Sequence, residues 1–394
     1  MDQIDELLSR RVDTILPSKA GLKKLLQTKK IRLYQGFDPT ASHLHLGHTV
    51  GLHLLMAFAR AGHEVIILFG TGTVLVGDPS LRENARQLIT STEINQNLST
   101  WKDQVAPIVD FSQVSIKQNS DWLVPLTLKD IIKIASHISA VQLFKRDSFQ
   151  RRLQRGDTVW YHETMYPLLQ GYDSVVMDVD LEVGGTDQEF NMLIGRELQR
   201  KMNQRDKYVL TVPMILGTDG KTMSKTSGNC IYLDDTPNDK FAKIMSLIDS
   251  QIIPYLKLIT HTPLAQVEQL EKDLHQDRLH PMAAKKQLAT TIVSEWHGSD
   301  LAQKAQSYFE STFQKRSVSD QTPTFNLTAP PLSLLDLLKQ LPLGVSHAQL
   351  KRVISEGGVE LGGHKITDPQ ALVSPKNGDL LQYGKHYFVQ LKII

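Results

Sequence analysis

The feature that most constrains the fold of this chain is the alternation of short apolar runs with helical stretches between about residues 31 and 215. The apolar runs have the length and the β-branched content of buried strands. Continuous apolar strands that alternate with helices are typical of a parallel sheet with helices on both faces. We therefore predict a doubly wound α/β domain whose strands lie at about 31–37, 64–70, 114–116, 174–179 and 208–213.

Length and composition set the outer limits. A chain of 394 residues predicts two or three domains, and 44 basic against 42 acidic side chains give no overall sign of nucleic-acid binding. The single cysteine, Cys230, excludes a disulfide framework within the chain and fits a reducing compartment. We expect neither a signal peptide nor a membrane span, and hence a cytoplasmic protein.

The sequence pattern changes twice after the predicted sheet. Residues 239–315 have helical apolar spacing throughout, whereas residues 316–331 are polar and rich in Pro, Thr and Ser. Residues 332–394 contain two helix-like segments, the second stopped by glycines, then a short strand, a turn and a closing hairpin. We expect an α/β domain at 1–238, a helical domain at 239–315, a linker at 316–331 and a terminal domain at 332–394.

The most specific motif is a strand, a turn and a helix start between Tyr34 and His48. A helix N-terminus offers unsatisfied N–H groups and a positive dipole end, which suit a phosphate. His45 and His48 lie on one side of the first turn, and Gly47 permits close approach of a ligand to the backbone. An isolated tetrapeptide of this kind would more often be two surface histidines. The preceding Gly-Phe-Asp-Pro-Thr turn favours the phosphate site.

Further charged residues follow the next predicted strand. Asp78 lies between Gly77 and Pro79, where a fixed carboxylate suits an ammonium group, although it also suits a helix N-cap. Arg82 and Arg86 share one helical face and suit a pyrophosphate, although such residues are often solvated surface charges.

A third segment places polar groups on an otherwise apolar helix. Tyr166, Gln170 and Asp173 share one face and need polar partners if that face points inward. A small polar substrate would supply them.

Two glycine-containing segments complete the set. In the turn at residues 183–191, Asp187 and Gln188 suit ribose hydroxyls or an N-capped helix. The loop at 217–229 carries Lys221 and Lys225, which suit either a phosphate chain or solvent.

These five segments, in this order, resemble those of the bacterial tyrosyl-tRNA synthetases, a class I family, over nearly the whole chain. The phosphate-site signature matches His45 and His48, and the lysine-loop signature matches residues 223–226. Thr222 stands where that signature has its first lysine, and Lys221 lies one position early. The resemblance implies a Rossmann-like catalytic domain, an α-helical anticodon-binding domain and a small α+β S-four-like RNA-binding domain.

The resemblance also implies a role for individual residues. The phenol of a tyrosine substrate would contact Tyr34 and Asp173, and its amino group would contact Asp78, Tyr166 and Gln170. The catalytic residues would be Thr40, His45, His48, Arg82, Arg86 and Lys225. The nucleotide would contact Gly36, Asp38, Gly47, Gly185, Asp187, Gln188, Met223, Ser224 and Lys225. The tRNA would contact Lys351, Arg352, Lys365 and Lys385.

The implied partners are L-tyrosine, ATP with its Mg²⁺, tRNA(Tyr) and a second copy of the chain, with no metal held by protein side chains. A tryptophanyl-tRNA synthetase is the first alternative, and Tyr34 and Asp173 argue against it. The second is an RNA-binding relative without activity, which only the altered lysine loop favours.

Overall fold

The structure, a computed structural model, describes residues 3–79, 90–224, 227–314, 323–327, 332–384 and 387–393. The strands are β1 Thr14–Leu16, β2 Arg32–Phe37, β3 Glu64–Phe69, β4 Val114–Gln118, β5 Leu181–Gly185, β6 Tyr208–Val212, β7 Thr324–Leu327, β8 Leu332–Ser333, β9 Val359–Leu361, β10 His364–Ile366, β11 Leu372–Val373, β12 Leu380–Tyr383 and β13 Tyr387–Ile393.

The helices complete the element order. They are α1 Gln3–Leu7, α2 Lys19–Thr28, α3 Leu46–Arg60, α4 Ser91–Val105, α5 Ser120–Leu123, α6 Leu128–Ala135, α7 Ala140–Phe144, α8 Asp147–Arg155, α9 Tyr161–Met177, α10 Glu189–Asn203, α11 Pro237–Met245, α12 Ile252–Ile259, α13 Leu264–His275, α14 Pro281–His297, α15 Ser299–Phe309, α16 Leu334–Gln340 and α17 His347–Ser355.

A six-stranded sheet lies in the N-terminal part of the chain, in the order β1-β6-β5-β2-β3-β4. All its neighbouring strands are parallel except β1, which pairs antiparallel with β6. The chain moves outward from β2 through β3 to β4 and then returns to add β5 on the other side of β2. Ligands of open α/β sheets bind where the strand order reverses in this way, at the carboxyl ends of the strands. The prediction of a doubly wound sheet is confirmed, and β1 is an addition to it.

One predicted strand is wrong. Residues 174–177 continue α9, and Asp178 ends that helix in the left-handed conformation, with φ 47°. The run Val175-Val176-Met177 has the composition of a strand, but Ser174 and Met177 are buried while Val176 is exposed. This spacing of three is helical. The strand that the sheet uses instead is β5.

Two helices, α9 and α10, pack with their backbones unusually close together. A Cβ on Gly171 would lie 3.0 Å from the Cα of Gly195, and a Cβ on Gly195 would lie 3.1 Å from the Cα of Gly171. Glycine at both positions therefore permits the crossing. The crossing fixes α9, which carries Tyr166, Gln170 and Asp173, against α10.

The chain divides into two compact units: Met1–Asp234 with Leu247–Ala284, and Asp235–Ser246 with Lys285–Ile394. The expected helical domain at 239–315 is thus shared between them. The domain boundaries that we expect from the sequence stay a prediction.

The second unit contains a five-stranded sheet in the order β10-β9-β12-β13-β7. Its β12–β13 pair is the predicted hairpin, and Ser346 caps α17 as expected. Part of the expected linker, β7, pairs parallel with β13. Phe325 and Leu327 alternate inward and pack in the apolar core of this sheet, which explains why the segment is ordered as a strand.

No helix within the described ranges is long and apolar enough to cross a membrane.

Candidate active site

A cavity of about 380 Å³ opens at the carboxyl ends of β2 and β5, at the point where the strand order reverses. It brings together most of the residues that the sequence analysis selected. The cavity is lined by Tyr34, Gly36, Asp38, Thr40, His45, Gly47, His48, Asp78, Tyr166, Gln170, Asp173, Gly185, Asp187, Gln188 and Met223. Arg82, Arg86 and Lys225 lie outside the described residues.

The two histidines form the N-terminus of α3. His45 is the N-cap, and its Nδ1 accepts from the backbone N–H of Gly47 at 3.2 Å. The backbone N–H of His45 in turn donates to Nδ1 of His48 at 3.1 Å. A Cβ on Gly47 would lie 2.9 Å from the His45 ring, so glycine also makes room for that ring over the backbone.

Both imidazoles are neutral. Burial lowers the pKa of His45 to about 2, with a further contribution from His48, and it lowers the pKa of His48 to about 4. Because Nδ1 of His45 accepts from a backbone N–H, the proton of its neutral ring lies on Nε2. Nδ1 of His48 lies 3.1 Å from both the backbone N and the backbone O of His45, and its Nε2 carries the proton when Nδ1 accepts from that N–H. An Nε2–H donor beside a helix N-terminus suits a phosphate oxygen.

A buried carboxylate also lines the cavity. Asp173 is 1% exposed, and it accepts from Nε1 of Trp122 at 2.8 Å and from Nδ2 of Asn119 at 3.0 Å. Burial raises its pKa well above the ordinary value, while these two donors oppose the rise. An ionised carboxylate has about four acceptor positions, so Asp173 can accept another hydrogen bond from the cavity. Tyr34 lines the same cavity, and burial, with the charges of Glu182 and Asp173, raises its pKa well above the ordinary value.

Asn119 and Trp122 escaped the sequence analysis. Asn119 lies just before α5 and Trp122 lies within it, and α5 begins where β4 ends. Their position after the carboxyl end of a predicted strand is the signal that could have identified them.

A second carboxylate lies farther along the cavity. Asp78 accepts from Nε2 of Gln188 at 2.7 Å and from Nη2 of the buried Arg146 at 3.3 Å. The sequence analysis also missed Arg146, because nothing in its local sequence distinguishes it from a surface cation. The expected helix after Asp78 lies outside the described residues.

Asp38 is held by both neighbouring segments. The hydroxyl of Tyr166 donates to its Oδ2 at 2.9 Å, and the hydroxyl of Thr73 donates to its Oδ1 at 2.8 Å. A Cβ on Gly70 would lie only 1.9 Å from Oδ1, so the glycine after β3 is required for this contact. The two loops that follow β2 and β3 are thereby joined.

Amide side chains connect α9 to the turn after β5. Asn191 donates to Oε1 of Gln170 and to Oε1 of Gln188, each at 2.9 Å. The turn itself is a strand-to-helix connection, as predicted, with residues Thr186–Gln188 in a short 3₁₀ segment. Burial raises the pKa of Asp187 in this turn, and the side chain of Gln188 opposes the rise.

The described part of the lysine loop is organised around Asn229. Its Nδ2 donates to Oδ1 of Asp219 at 2.7 Å, and its Oδ1 accepts from the backbone N–H of Ser224 at 2.9 Å. Thr222 and Met223 line the cavity, whereas Ser224 does not and Lys221 is exposed.

In the second unit, the basic residues predicted to contact tRNA lie on the surface. Lys351, Arg352 and Lys365 are exposed, on α17 and β10. Lys385 lies outside the described residues. The roles of all these residues stay predictions.

The cavity combines a helix start that carries two neutral imidazoles with a pocket lined by buried polar side chains, at the carboxyl ends of a parallel sheet. Residues 26–314 match the family model for class I tRNA synthetases (W and Y), and the chain belongs to this family. Its curated relatives include the tyrosine–tRNA ligase of Oleidesulfovibrio alaskensis, 38% identical over 99% of both chains. The tyrosine–tRNA ligase of Thermotoga maritima is 35% identical over 98% of this chain and 96% of that relative.

Solved structures have the same fold. A C-terminally truncated mitochondrial tyrosyl-tRNA synthetase from Coccidioides posadasii matches with a TM-score of 0.64 at 23% identity, over 78% of this chain and 92% of that chain. The tyrosyl-tRNA synthetase of Archaeoglobus fulgidus, complexed with L-tyrosine, matches with a TM-score of 0.62 at 22% identity, over 77% and 99%.

Proposed function

We propose that this chain is a tyrosine–tRNA ligase, which activates L-tyrosine with ATP and transfers it to the 3′ end of tRNA(Tyr). The observation that carries the choice of amino acid is Asp173, a buried carboxylate with acceptor capacity directed at the cavity. A phenolic O–H satisfies this acceptor, whereas phenylalanine offers it no donor, and tryptophan offers only an indole N–H on a larger ring system. A site built to hydrogen-bond a hydroxyl rejects the analogue without it, a rule for which tyrosyl-tRNA synthetases are themselves the usual example.

The first step joins tyrosine to AMP. An oxygen of the tyrosine carboxylate forms a bond to the α-phosphorus of ATP, the bond from that phosphorus to the β-bridging oxygen breaks, and pyrophosphate leaves. A carboxylate is already a nucleophile, so positioning and stabilisation of charge on the phosphates supply the catalysis. His45 and His48 donate from Nε2, and Thr40 donates from its hydroxyl. Arg82, Arg86 and Lys225 add positive charge, and Mg²⁺ enters with ATP as part of that substrate.

The opposite end of tyrosine needs a different environment. Asp78, with Tyr166 and Gln170, binds the ammonium group by charge-assisted hydrogen bonds. Asp38, Asp187 and the backbone beside Gly36, Gly47 and Gly185 hold the nucleotide, together with Gln188, Met223 and Ser224.

The second step involves the tRNA. A ribose hydroxyl of its terminal adenosine attacks the carbonyl of tyrosyl-adenylate, and AMP leaves. The exposed Lys351, Arg352 and Lys365, with Lys385, contact phosphates, so tRNA affinity falls as salt concentration rises. We further propose that the protein works in the cytoplasm as a homodimer.

The test is exchange of pyrophosphate into ATP, measured separately with tyrosine, phenylalanine and tryptophan. We expect exchange with tyrosine, followed by charging of tRNA(Tyr) in a second assay. Exchange with tryptophan instead would favour the tryptophanyl alternative. No exchange with any of the three amino acids would favour an RNA-binding relative without activity.

A further inference from the structure

A fully buried ion pair lies beside the tyrosine pocket, and the reaction described above does not use it. Lys207 is 1% exposed and contacts Oε2 of Glu182, which is 2% exposed. Removing two charges from water costs several kcal/mol per ion, so such a pair contributes little to stability by itself. A role in positioning other groups is a better explanation for its presence.

The sheet explains how the pair reaches this position. Glu182 on β5 is the register partner of Tyr34 on β2, so both side chains leave the sheet side by side. Lys207 directly precedes β6, whose first residue pairs with Leu181. The glycine crossing of α9 and α10 makes room for the ammonium group, because a Cβ on Gly195 would lie 2.8 Å from Nζ of Lys207.

Ser174 connects this pair to Tyr34. Its hydroxyl is buried, accepts from Nζ of Lys207, and lies 2.9 Å from the hydroxyl of Tyr34. The nearest oxygen of Glu182 is farther from Ser174, at 3.3 Å, and already accepts from Lys207. The single proton of Ser174 is therefore better placed to bond to Tyr34 than to Glu182.

This direction decides what Tyr34 offers to a substrate. If Ser174 donates to the oxygen of Tyr34, the proton of Tyr34 can be donated either to Glu182, whose carboxylate also hydrogen-bonds Tyr34, or to the phenolic oxygen of a bound tyrosine. Lys207 occupies Oε2 of Glu182 and thereby favours donation to the substrate. The proton of that substrate is then free to bond to Asp173. If Tyr34 donated to Ser174 instead, the one proton of the substrate phenol would have to serve both Tyr34 and Asp173.

We propose that Lys207 and Ser174 are positioning residues that orient the hydroxyl proton of Tyr34 towards the substrate. The proposal rests on the proposed function and deepens it. The hydrogen bonds then run in one direction, from the Lys207 ammonium through Ser174, Tyr34 and the substrate hydroxyl to the Asp173 carboxylate. Donors aligned in one direction polarise one another, and this chain begins at a cation and ends at an anion.

Glu182 has two tasks in this arrangement. Its Oε2 balances the charge of Lys207, and its Oε1 accepts from Nε2 of Gln170 at 3.3 Å. The ion pair thus also supports a residue that we assign to the amino group of the substrate.

The test is a double-mutant cycle on Ser174 and Tyr34, read as kcat/KM for pyrophosphate exchange with tyrosine and with phenylalanine. We expect Ser174→Ala to lower kcat/KM for tyrosine by about 3- to 10-fold, the size of one hydrogen bond, and to leave that for phenylalanine unchanged. In a Tyr34→Phe background, the same Ser174→Ala change should alter kcat/KM for tyrosine by less than about twofold.

The ion pair is tested by Lys207→Met combined with Glu182→Gln, which removes both charges together. We expect a loss with both amino acids, because Glu182 also supports Gln170, and a larger loss with tyrosine than with phenylalanine, mostly in KM. A matched control is Arg152→Met with Glu163→Gln, since this buried ion pair of the same unit does not line the cavity. The control should leave the tyrosine-to-phenylalanine ratio unchanged, and the free energy of unfolding is measured for both double variants so that their stability effects can be compared.

Two results would overturn the proposal. One is an equal loss with tyrosine and with phenylalanine, and the other is a full effect of Ser174→Ala in the Tyr34→Phe background. Either would make the role of Ser174 structural. Both results require a wild-type protein that is active with tyrosine, so they are distinct from failure of the proposed function, in which the wild type itself shows no exchange.

Discussion

Replacing Asp173 with alanine removes the acceptor that we assign to the substrate phenol. A hydrogen bond to a charged group contributes about 1.5–3 kcal/mol, which corresponds to a loss of about 13- to 160-fold in kcat/KM for tyrosine. The change also leaves the Trp122 donor without this partner, which costs about 1–3 kcal/mol of stability. Alanine also removes the unfavourable burial of the Asp173 carboxylate, the same burial that raises its pKa, and this offsets part of that cost.

The assay is pyrophosphate exchange with tyrosine and phenylalanine under conditions where the variant is folded. Phenylalanine offers no partner to the buried carboxylate, so its kcat/KM should stay the same or rise. The ratio of kcat/KM for tyrosine to kcat/KM for phenylalanine should therefore fall sharply. A matched control is Asp180→Ala, since this buried aspartate binds Lys29 and Arg205 outside the cavity. A tyrosine kcat/KM within threefold of wild type, or an equal loss with phenylalanine, would refute the reasoning.

Three further changes test the histidine pair, the crossing of α9 and α10, and the role of the C-terminal residues. The folded pKa of His48, about 4, lies below its ordinary 6.5, so the unfolded chain binds more protons in this window and stability is lost as pH falls through it. The free energy of unfolding of His48→Asn should therefore depend less steeply on pH in this window than that of the wild type, and equal slopes would contradict the assignment. Gly195→Ala should lower the free energy of unfolding by about 1–3 kcal/mol in urea titrations, because its Cβ would overlap Lys207; an unchanged midpoint would show that the helices can separate. Deleting residues 315–394, a cut placed before β7 because that strand pairs with β13, should spare pyrophosphate exchange and impair tRNA charging; an equal loss of both would make the terminal sheet structural.

The elements that could be predicted from the sequence are those with local signals. The strands β2, β3 and β6 are short apolar runs with polar or proline boundaries, and each is close to its predicted position. The N-terminus of α3 could equally be predicted from the sequence, because the capping pair and the turn before it lie within one short segment.

The features that could not be predicted depend on contacts between distant segments. Lys207 has the sequence character of a surface cation, and only the register of β5 and β6 places it against Glu182. Asn119 and Trp122 reach Asp173 from more than 50 positions away in the chain. The misplaced strand at 174–179 has the same cause, since apolar composition alone cannot distinguish the last turn of a buried helix from a strand.

Two residues that we assign to opposite ends of the substrate, Tyr166 and Asp173, both lie on α9, and this has a further consequence. Tyr166 and Asp173 are separated by roughly two turns, or about 10 Å of helix rise. With the proposed roles, the separation of these two residues on one helix sets the distance that the substrate must span between its hydroxyl and its amino group. 4-Hydroxyphenylglycine has both groups but one fewer methylene between them. With the proposed roles, it would contact either Asp173 or Tyr166 and leave the other without a substrate partner, so the site selects for molecular length as well as for chemistry.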